Sequence, residues 1–169
     1  MLLREFELRK ILIFGNSGSG KSTLAAKICQ AEKLPHLDLD TLAWQVSDTP
    51  KRAPLEVSQE SIQQFIEQNQ SWIIEGCYSY LLEIAGVHAD EIIFMNLPVT
   101  LCIENAKNRP WEPHKYESKE AQDENLDMLV GWIAQYEDRN DVFSQRAHTL
   151  FYESFSGQKK MITQNMNSI

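Results

Sequence analysis

The stretch Gly15-Asn16-Ser17-Gly18-Ser19-Gly20-Lys21-Ser22 decides the fold, because it matches the pattern G-x-x-x-x-G-K-[ST] at every position. An apolar run at residues 11–14 precedes it, and residues 21–32 follow with aliphatic side chains at helical spacing. Strand, glycine turn and helix in this order are typical of a phosphate-binding loop, the P-loop. The alternative, a chance glycine-rich turn, would match about one chain in a hundred of this length.

Each part of this loop has an expected chemistry. Glycines let backbone N–H groups approach phosphate oxygens, which a Cβ atom would obstruct. Lys21 would reach the β- and γ-phosphates of ATP, the Ser22 hydroxyl would ligate Mg²⁺, and Thr23 would contact the α-phosphate. The sequence therefore predicts ATP and Mg²⁺ as ligands, with a nucleotide-binding set of Gly15, Ser17, Gly18, Ser19, Gly20, Lys21, Ser22 and Thr23.

The rest of the chain alternates apolar runs with helical patterns. Runs that predict further strands lie at residues 36–39, 72–76, 92–97 and 159–163. Helical spacing occurs at residues 58–68, 79–85, 98–108, 126–136 and 142–152. This alternation predicts one α/β domain over residues 1–169, with a mainly parallel sheet covered by helices on both faces. Ligands are then expected at the carboxyl ends of the strands.

Three carboxylates are expected near those strand ends. Asp38 and Asp40 flank Leu39 after the second strand, where alternation points both the same way. We assign Asp40 as the general base or acceptor anchor and Asp38 as the residue that orients magnesium-bound water, although the reverse is possible. One of them could instead only cap a helix or loop. Glu75 would join the metal shell, hold the acceptor or cap a turn.

A lid is expected because a kinase must keep water from the transferring phosphoryl group. Residues 110–125 are crowded with Glu, Lys, His and Pro, which predicts a solvated flap within a lid over about residues 110–138. Arg109 at its entrance would stack on adenine or contact phosphate. Arg139, assigned as catalytic, and Arg146 would reach the transferring group, unless they are only solvated surface arginines. His36 and His114 lack a metal-ligand partner at useful spacing and are assigned no chemistry.

The phosphate acceptor cannot be chosen from the motifs. Residues 41–54 predict a mobile loop that would shape its pocket, with Trp44 as a contact. A nucleoside monophosphate, a nucleoside and a sugar acid are all compatible. The stretch between the second and third strands is short for a full monophosphate-binding insert, and Arg52 is its clear arginine.

Composition limits the partners. The chain has 16 basic and 24 acidic residues, and the formal charge of -8 disfavours direct binding of nucleic acid or anionic lipid. Cys29, Cys77 and Cys102 are widely spaced and predict neither a disulfide framework nor a zinc site. The first ten residues lack an apolar signal core, and no apolar run has membrane length, which predicts a cytoplasmic protein. The oligomeric state stays open.

The sequence lacks the motifs that are typical of other P-loop classes. No N-K-x-D element for reading guanine occurs, which disfavours a GTP switch. A motor ATPase usually has an apolar strand that ends in Asp-Glu, whereas residues 72–76 end in one carboxylate and a glycine. The pattern therefore favours a small-molecule kinase that transfers the γ-phosphoryl group of Mg-ATP.

Four blocks of the chain together resemble the adenylate-kinase-like proteins known as DNA topology modulation (FlaR-type) proteins. The blocks are residues 15–23, His36-Leu37-Asp38, Trp72-Ile73-Ile74-Glu75-Gly76 and Leu97-Pro98. The resemblance covers most of the chain and implies a P-loop NTPase core of five parallel strands in the order 2-3-1-4-5. It also implies Mg-ATP as donor, a lid rich in arginine, and a likeness to shikimate, gluconate and nucleoside monophosphate kinases.

This chain departs from that group in one helix. Several arginines are typical after the Leu-Pro element, and here only Arg109 is kept, so the lid is less basic than the resemblance implies. The group's name implies an alternative function, a nucleotide-binding regulator of DNA topology with weak or no kinase activity. A third alternative is a degenerate kinase that binds ATP and signals by lid closure.

Overall fold

The elements alternate along the chain as an α/β protein. The structure, a computed structural model, describes residues 7–45 and 51–166, without the side chains of Trp44 and Gln45. The strands are β1 Lys10–Gly15, β2 His36–Asp38, β3 Trp44–Gln45, β4 Lys51–Arg52, β5 Trp72–Gly76, β6 Glu91–Met95 and β7 Gln158–Ile162. The helices are α1 Lys21–Glu32, α2 Asp40–Ala43, α3 Leu55–Gln68, α4 Ser79–Gly86, α5 Val99–Lys107, α6 Lys119–Ala134 and α7 Gln145–Ser154.

One parallel sheet of five strands, in the order β2-β5-β1-β6-β7, organises these elements. The strand numbering differs from the expected 2-3-1-4-5, because the antiparallel ribbon β3–β4 lies between β2 and β5 in the chain and was not predicted. Counted within the five-stranded sheet alone, the strands follow each other as 2-3-1-4-5. All pairings in this sheet are parallel, as the strand–helix alternation predicts.

The sheet separates two apolar cores. Ile11 and Ile13 of β1 face one cluster, which α1, α5 and α6 cover. Leu12 and Phe14 face the other, which α3, α4 and α7 cover. All four side chains are fully buried, as expected for a central strand with helices on both faces. This packing holds β1 rigidly and fixes where the following glycine loop begins.

Two connections differ from the prediction. Helix α6 begins at Lys119, so residues 119–125 of the expected flap are helical. Ser118 explains the early start, since its Oγ accepts a hydrogen bond from the Ala121 N–H at 3.0 Å. Only residues 108–118, called the flap below, are irregular. In the expected loop 41–54, α2 and the β3–β4 ribbon form, and residues 46–50 and the Trp44 side chain lie outside the described part.

The helices have ordinary lengths. Helix α6 is the longest in the ranges 7–45 and 51–166, with 16 residues. No helix in these ranges has the length and apolar character needed to cross a bilayer. Cys29, Cys77 and Cys102 are free thiols, of which Cys102 is buried.

Candidate functional site

The glycine loop leaves β1 and enters α1 through backbone conformations that favour glycine. Gly18 has φ 76° and Gly20 has φ 87°, both in the left-handed region. A Cβ atom on Gly18 would lie 2.3 Å from the backbone oxygen of Cys102. No other residue fits there without moving the loop away from α5. The residues of the motif therefore build a tight turn, called the cradle below, that packs closely against α5. An anion site of this kind would use its backbone N–H groups.

Side-chain amides hold this loop in place. Asn16 is buried, and its Nδ2 donates to the Ile133 carbonyl oxygen at 3.3 Å. Asn105 of α5 donates from Nδ2 to the Gly18 carbonyl oxygen at 2.8 Å. Asn105 also exchanges two hydrogen bonds with Asn165, at 2.8 and 3.1 Å. Sequence reasoning missed Asn105, because a single asparagine in a helix carries no motif.

The Lys21 side chain contacts the backbone of the loop that is expected to bind phosphate. Its Nζ donates to the Asn16 carbonyl oxygen at 2.7 Å, which places the ammonium group at the mouth of the cradle. Ser19 is only 1% exposed, and its hydroxyl has no hydrogen-bond partner in the described part of the chain. Its backbone N–H donates to the Asn16 carbonyl oxygen at 3.2 Å, and this hydrogen bond closes the turn of the loop.

Two cavities meet at the loop. The first, of about 470 Å³, is lined by the loop and the following turn of α1, by the carboxylates predicted after β2 and β5, and by the flap. The second, of about 310 Å³, lies on the other side of Gly18 and Gly20, against α5 and the chain after β7. Loop residues in the first cavity are Ser17, Gly18, Gly20, Lys21, Ser22 and Thr23. The three predicted carboxylates, Asp38, Asp40 and Glu75, line it as well.

Glu75 is the buried acid of this site, with 2% exposure. Its Oε1 accepts a hydrogen bond from the Ser22 hydroxyl at 2.7 Å and lies 3.2 Å from His36 Nε2. Burial by itself raises the pKa of Glu75, but the His36 contact, the charge of Lys21 and the Ser22 hydrogen bond lower it below its usual value. Glu75 is therefore ionised beside the cradle.

His36 belongs to the site, although the sequence assigned it no chemistry. Its hydrogen bond to Glu75 raises the pKa of the imidazole, against the effect of burial, and the charges of Glu75 and Asp38 raise it further. His36 and Glu75 are neighbours because β2 pairs with β5, with His36 opposite Ile73 and Asp38 opposite Glu75. A search for metal ligands along the sequence could not find this pair.

Asp38 ends β2 and is half-buried. Its Oδ1 accepts the Asp40 N–H at 2.9 Å, so it does cap the start of α2, as the alternative interpretation proposed. Burial raises the pKa of Asp38, and the charges of Glu75 and Asp40 add to the rise. The carboxylate nevertheless lines the first cavity, so capping does not remove it from the site.

Asp40 begins α2 rather than ending a strand, and it faces the same cavity. Its Oδ1 accepts a hydrogen bond from the Tyr78 hydroxyl at 2.5 Å. Its Oδ2 lies 3.9 Å from Lys115 Nζ of the flap. The Asp40 side chain is 46% exposed. Tyr78 and Lys115 are site residues that sequence reasoning missed. Lys115 was missed because the flap was searched only for arginine, and no local pattern marks Tyr78.

The three predicted arginines fall in different places. Arg109 lines both cavities, with its Nη1 3.4 Å from Glu112 Oε2. Arg139 does not line the first cavity. Its guanidinium lies over the Trp132 ring, 3.3 Å from the centroid, and pairs with Asp141 at 3.5 Å. Arg146 is exposed on α7 and lines neither cavity. In this arrangement Arg139 supports Trp132, which does line the first cavity.

The first cavity presents oxygen donors of the kind that Mg²⁺ prefers. Within residues 7–45 and 51–166, no group of three or more His, Cys, Asp or Glu is arranged to hold a metal ion by itself. Mg²⁺ in phosphate sites is held by one or two protein oxygens together with waters and phosphates. The Ser22 hydroxyl, Asp38 and Glu75 are oxygen donors at one cavity, which fits that mode of binding.

Sequence comparisons match part of this chain to a known protein. No family model matches the chain. The Uncharacterized protein YqaC of Bacillus subtilis (strain 168) is 27% identical over 104 residues, which is 62% of this chain and 58% of YqaC. The match thus covers less than two thirds of that relative's length.

Solved structures extend the comparison. An unliganded sugar kinase from Janibacter sp. HTCC2649 superposes with a TM-score of 0.53 at 13% identity, covering 95% of this chain and 89% of that chain. This likeness shows a shared α/β fold. An uncharacterized protein from Eubacterium ventriosum ATCC 27560 superposes at a TM-score of 0.46 and 15% identity, over 94% of this chain and 89% of that chain. That score is too low to establish a shared fold.

Proposed function

We propose that this protein is a P-loop kinase that transfers the γ-phosphoryl group of Mg-ATP to a hydroxyl group of a small acceptor. The observation that carries the proposal is the shared cavity, in which Lys21 and Ser22 lie on one side and Asp40 on another. Phosphoryl transfer needs little covalent chemistry from a protein. It needs a phosphate cradle, a cation at the terminal phosphate, and a group that takes the acceptor's proton.

The residues divide these tasks. The Gly15–Ser22 loop and Thr23 would hold the phosphates through backbone N–H groups and the amino end of α1. Lys21 would leave the Asn16 carbonyl and bind the β- and γ-phosphates. Ser22 would hold Mg²⁺ directly, and Asp38 and Glu75 would orient its waters. The ion would supply charge neutralisation at the transferring group.

Asp40 would act on the acceptor. A carboxylate oxygen of Asp40 accepts the proton as the acceptor hydroxyl bonds to the transferred phosphorus and the bond to the leaving ADP oxygen breaks. Tyr78 orients this carboxylate through its hydrogen bond to Oδ1. The flap, which brings Arg109 and Lys115 to the cavity, would exclude water from the transferring group.

The second cavity fits the donor's base. It adjoins Gly18, Gly20 and Thr23 and is reached by Arg109, so a nucleotide whose phosphates lie in the loop can extend into it. Arg109 would stack on adenine there or contact phosphate. Arg139 and Arg146 would need to move to reach the transferring group, and we keep their contribution to transfer as a prediction of the sequence alone.

The proposal is tested by ADP release from Mg-ATP, with monophosphates, nucleosides, shikimate and gluconate added one at a time. Strong stimulation by one compound would support a kinase and name its acceptor. Binding of ATP is measured in parallel by calorimetry. Tight ATP binding with flat, slow hydrolysis across the panel would contradict the kinase and favour the nucleotide-dependent regulator, for which the site offers no separate observation.

A further inference from the structure

We propose that the acceptor is a small polyhydroxylated anion, whose hydroxyl lies at Asp40 and whose acidic group binds Arg52. This inference rests on the proposed function, and it names the class of substrate that the acceptor end of the first cavity would take. Arg52 and Asp40 both line this cavity. The acid group can be a carboxylate or a phosphate ester, since a guanidinium binds both through paired N–H groups.

Most of the cationic side chains at the first cavity already contact another group of the protein. Among the described residues that line the first cavity, four are cationic: Lys21, Arg52, Arg109 and Lys115. Lys21 donates to a carbonyl in the loop. Arg109 pairs with Glu112, and Lys115 lies near Asp40. Within the described ranges, no ion pair joins Arg52 to a carboxylate.

Two aromatic rings orient the Arg52 guanidinium. Its guanidinium carbon lies 4.7 Å from the ring centroid of Phe143 and 5.8 Å from that of Tyr80. Stacking on aromatic rings orients the planar guanidinium and leaves its N–H groups free to donate at the edges. An arginine that is oriented by aromatic rings is suited to bind an external anion.

Packed aromatic rings connect Arg52 with Asp40, the proposed base. The Phe143 ring lies edge-to-face with Tyr78, with centroids 5.2 Å apart, and with Trp132 at 5.3 Å. Tyr78 in turn donates to Asp40. Arg52 and Asp40 therefore stand on one continuous aromatic wall, and a single small molecule can contact both. The Trp132 and Phe143 rings offer apolar surface to the C–H groups of a polyol.

The negative charge of Asp40 disfavours a phosphate group as the reacting nucleophile. A nucleoside monophosphate reacts through a phosphate oxygen that is already ionised, so it needs no base. The Asp40 carboxylate would repel such a group, whereas it suits a hydroxyl that must lose its proton. A phosphate ester can therefore bind at Arg52, but the group that accepts the phosphoryl is a hydroxyl.

The test uses matched acceptors with the full chain and Mg-ATP. Gluconate and glucitol 6-phosphate are compared with glucitol, a neutral polyol of the same length. We expect transfer to at least one of the two anions and kcat/KM for glucitol lower by about tenfold to hundredfold, the value of charge-assisted hydrogen bonds. Preference for gluconate would identify a sugar acid, and preference for the ester a sugar phosphate. Equal use of glucitol, or transfer to neither anion, would overturn the assignment.

Arg52 itself is tested by R52M, which keeps length and removes charge. The KM for the preferred anion should rise by about tenfold to hundredfold, with little change in the affinity for ATP. The matched control is K51M, on the same ribbon but outside the cavity lining. An unchanged KM in R52M would overturn this inference and leave the kinase proposal intact. Absence of ATP binding by the wild-type chain would instead overturn the proposed function.

Discussion

The loop of residues 15–22 is the proposed phosphate cradle, and Asp40, Arg52, Tyr78, Trp132 and Phe143 form the proposed acceptor wall. Both line one cavity, and they are built differently. The cradle's acid, Glu75, is 2% exposed and is bonded to two neighbouring elements through Ser22 and His36. The acceptor wall's acid, Asp40, is 46% exposed and meets a long flexible lysine. A buried network resists change, whereas an exposed one can adjust to its ligand. Under the proposed function, the cradle would determine the chemistry and the wall would determine the acceptor.

The largest effect should come from the cradle. K21M removes the cation at the terminal phosphates, and we expect phosphoryl transfer to fall by about a thousandfold. Coupled-assay kinetics with Mg-ATP measure it. K33M, at the C-terminal end of α1 and outside both cavities, serves as the control. Transfer within tenfold of wild type in K21M would show that the loop does not act as a cradle.

D40N should separate the wall from the cradle. Asparagine keeps the size and the acceptor oxygen for Tyr78 but cannot take a proton, so transfer should fall by about a hundredfold. Affinity for ATP, measured by calorimetry, should be nearly unchanged. D38N is the comparison, since Asp38 is expected to act on the magnesium side. If D38N lost the base function and D40N did not, the two assignments would be reversed.

The buried His148 predicts that the folded state loses stability as the pH falls. His148 is fully buried, donates from Nε2 to the Cys77 carbonyl oxygen and accepts the Tyr136 hydroxyl at Nδ1. Burial lowers the pKa of His148 to about 4. Because an unfolded histidine has a pKa of about 6.5, the unfolded chain binds the proton first as pH falls. The His148 contribution should therefore cost about 2 kcal/mol of stability between pH 7 and pH 5.

Urea unfolding at the two pH values measures this loss. H148Q keeps a donor for the Cys77 carbonyl and removes the titration. The variant should show a fall in the free energy of unfolding smaller by about 2 kcal/mol over the same range. Equal falls in wild type and H148Q would show that other groups cause the acid sensitivity.

The smallest effect should come from the flap. Lys115 is its cation nearest the acceptor wall, and K115M should lower kcat by about tenfold through lost compensation of charge at the transferring group. K119M is the matched control, because Lys119 pairs with Asp123 and does not line the first cavity. A loss in K119M equal to that in K115M would assign the effect to flap structure instead of charge.

The sequence predicts the cradle far better than the wall. A loop of eight consecutive residues encodes its own geometry, because glycines at fixed positions permit the left-handed turns seen at Gly18 and Gly20. Strand–helix alternation likewise predicts the parallel sheet. The hydrogen bond between Tyr78 and Asp40 joins residues 38 positions apart, and no local pattern announces such a contact.

Helix capping and packing between distant segments explain where the structure departs from the sequence pattern. The predicted flap includes residues 119–125, which form the start of α6 because Ser118 caps this helix. The role of Arg139 in transfer stays a prediction, and in the structure its guanidinium lies over Trp132 and pairs with Asp141, outside the lining of the first cavity. Sequence indicates which side chains can do chemistry, while packing between distant segments decides which of them face the ligand.

Asn105 and Asn165 pair with each other much as two complementary bases do. Both N–H groups of Asn105 are engaged, by the Gly18 carbonyl and by Asn165 Oδ1, so this amide has no donor left for the edge of a purine. Asn105 would then hold the loop in place and leave the recognition of a base to other polar side chains of the second cavity. Asn108, Arg109 and Asn165 line that cavity, so a preference between adenine and guanine would depend on these three residues.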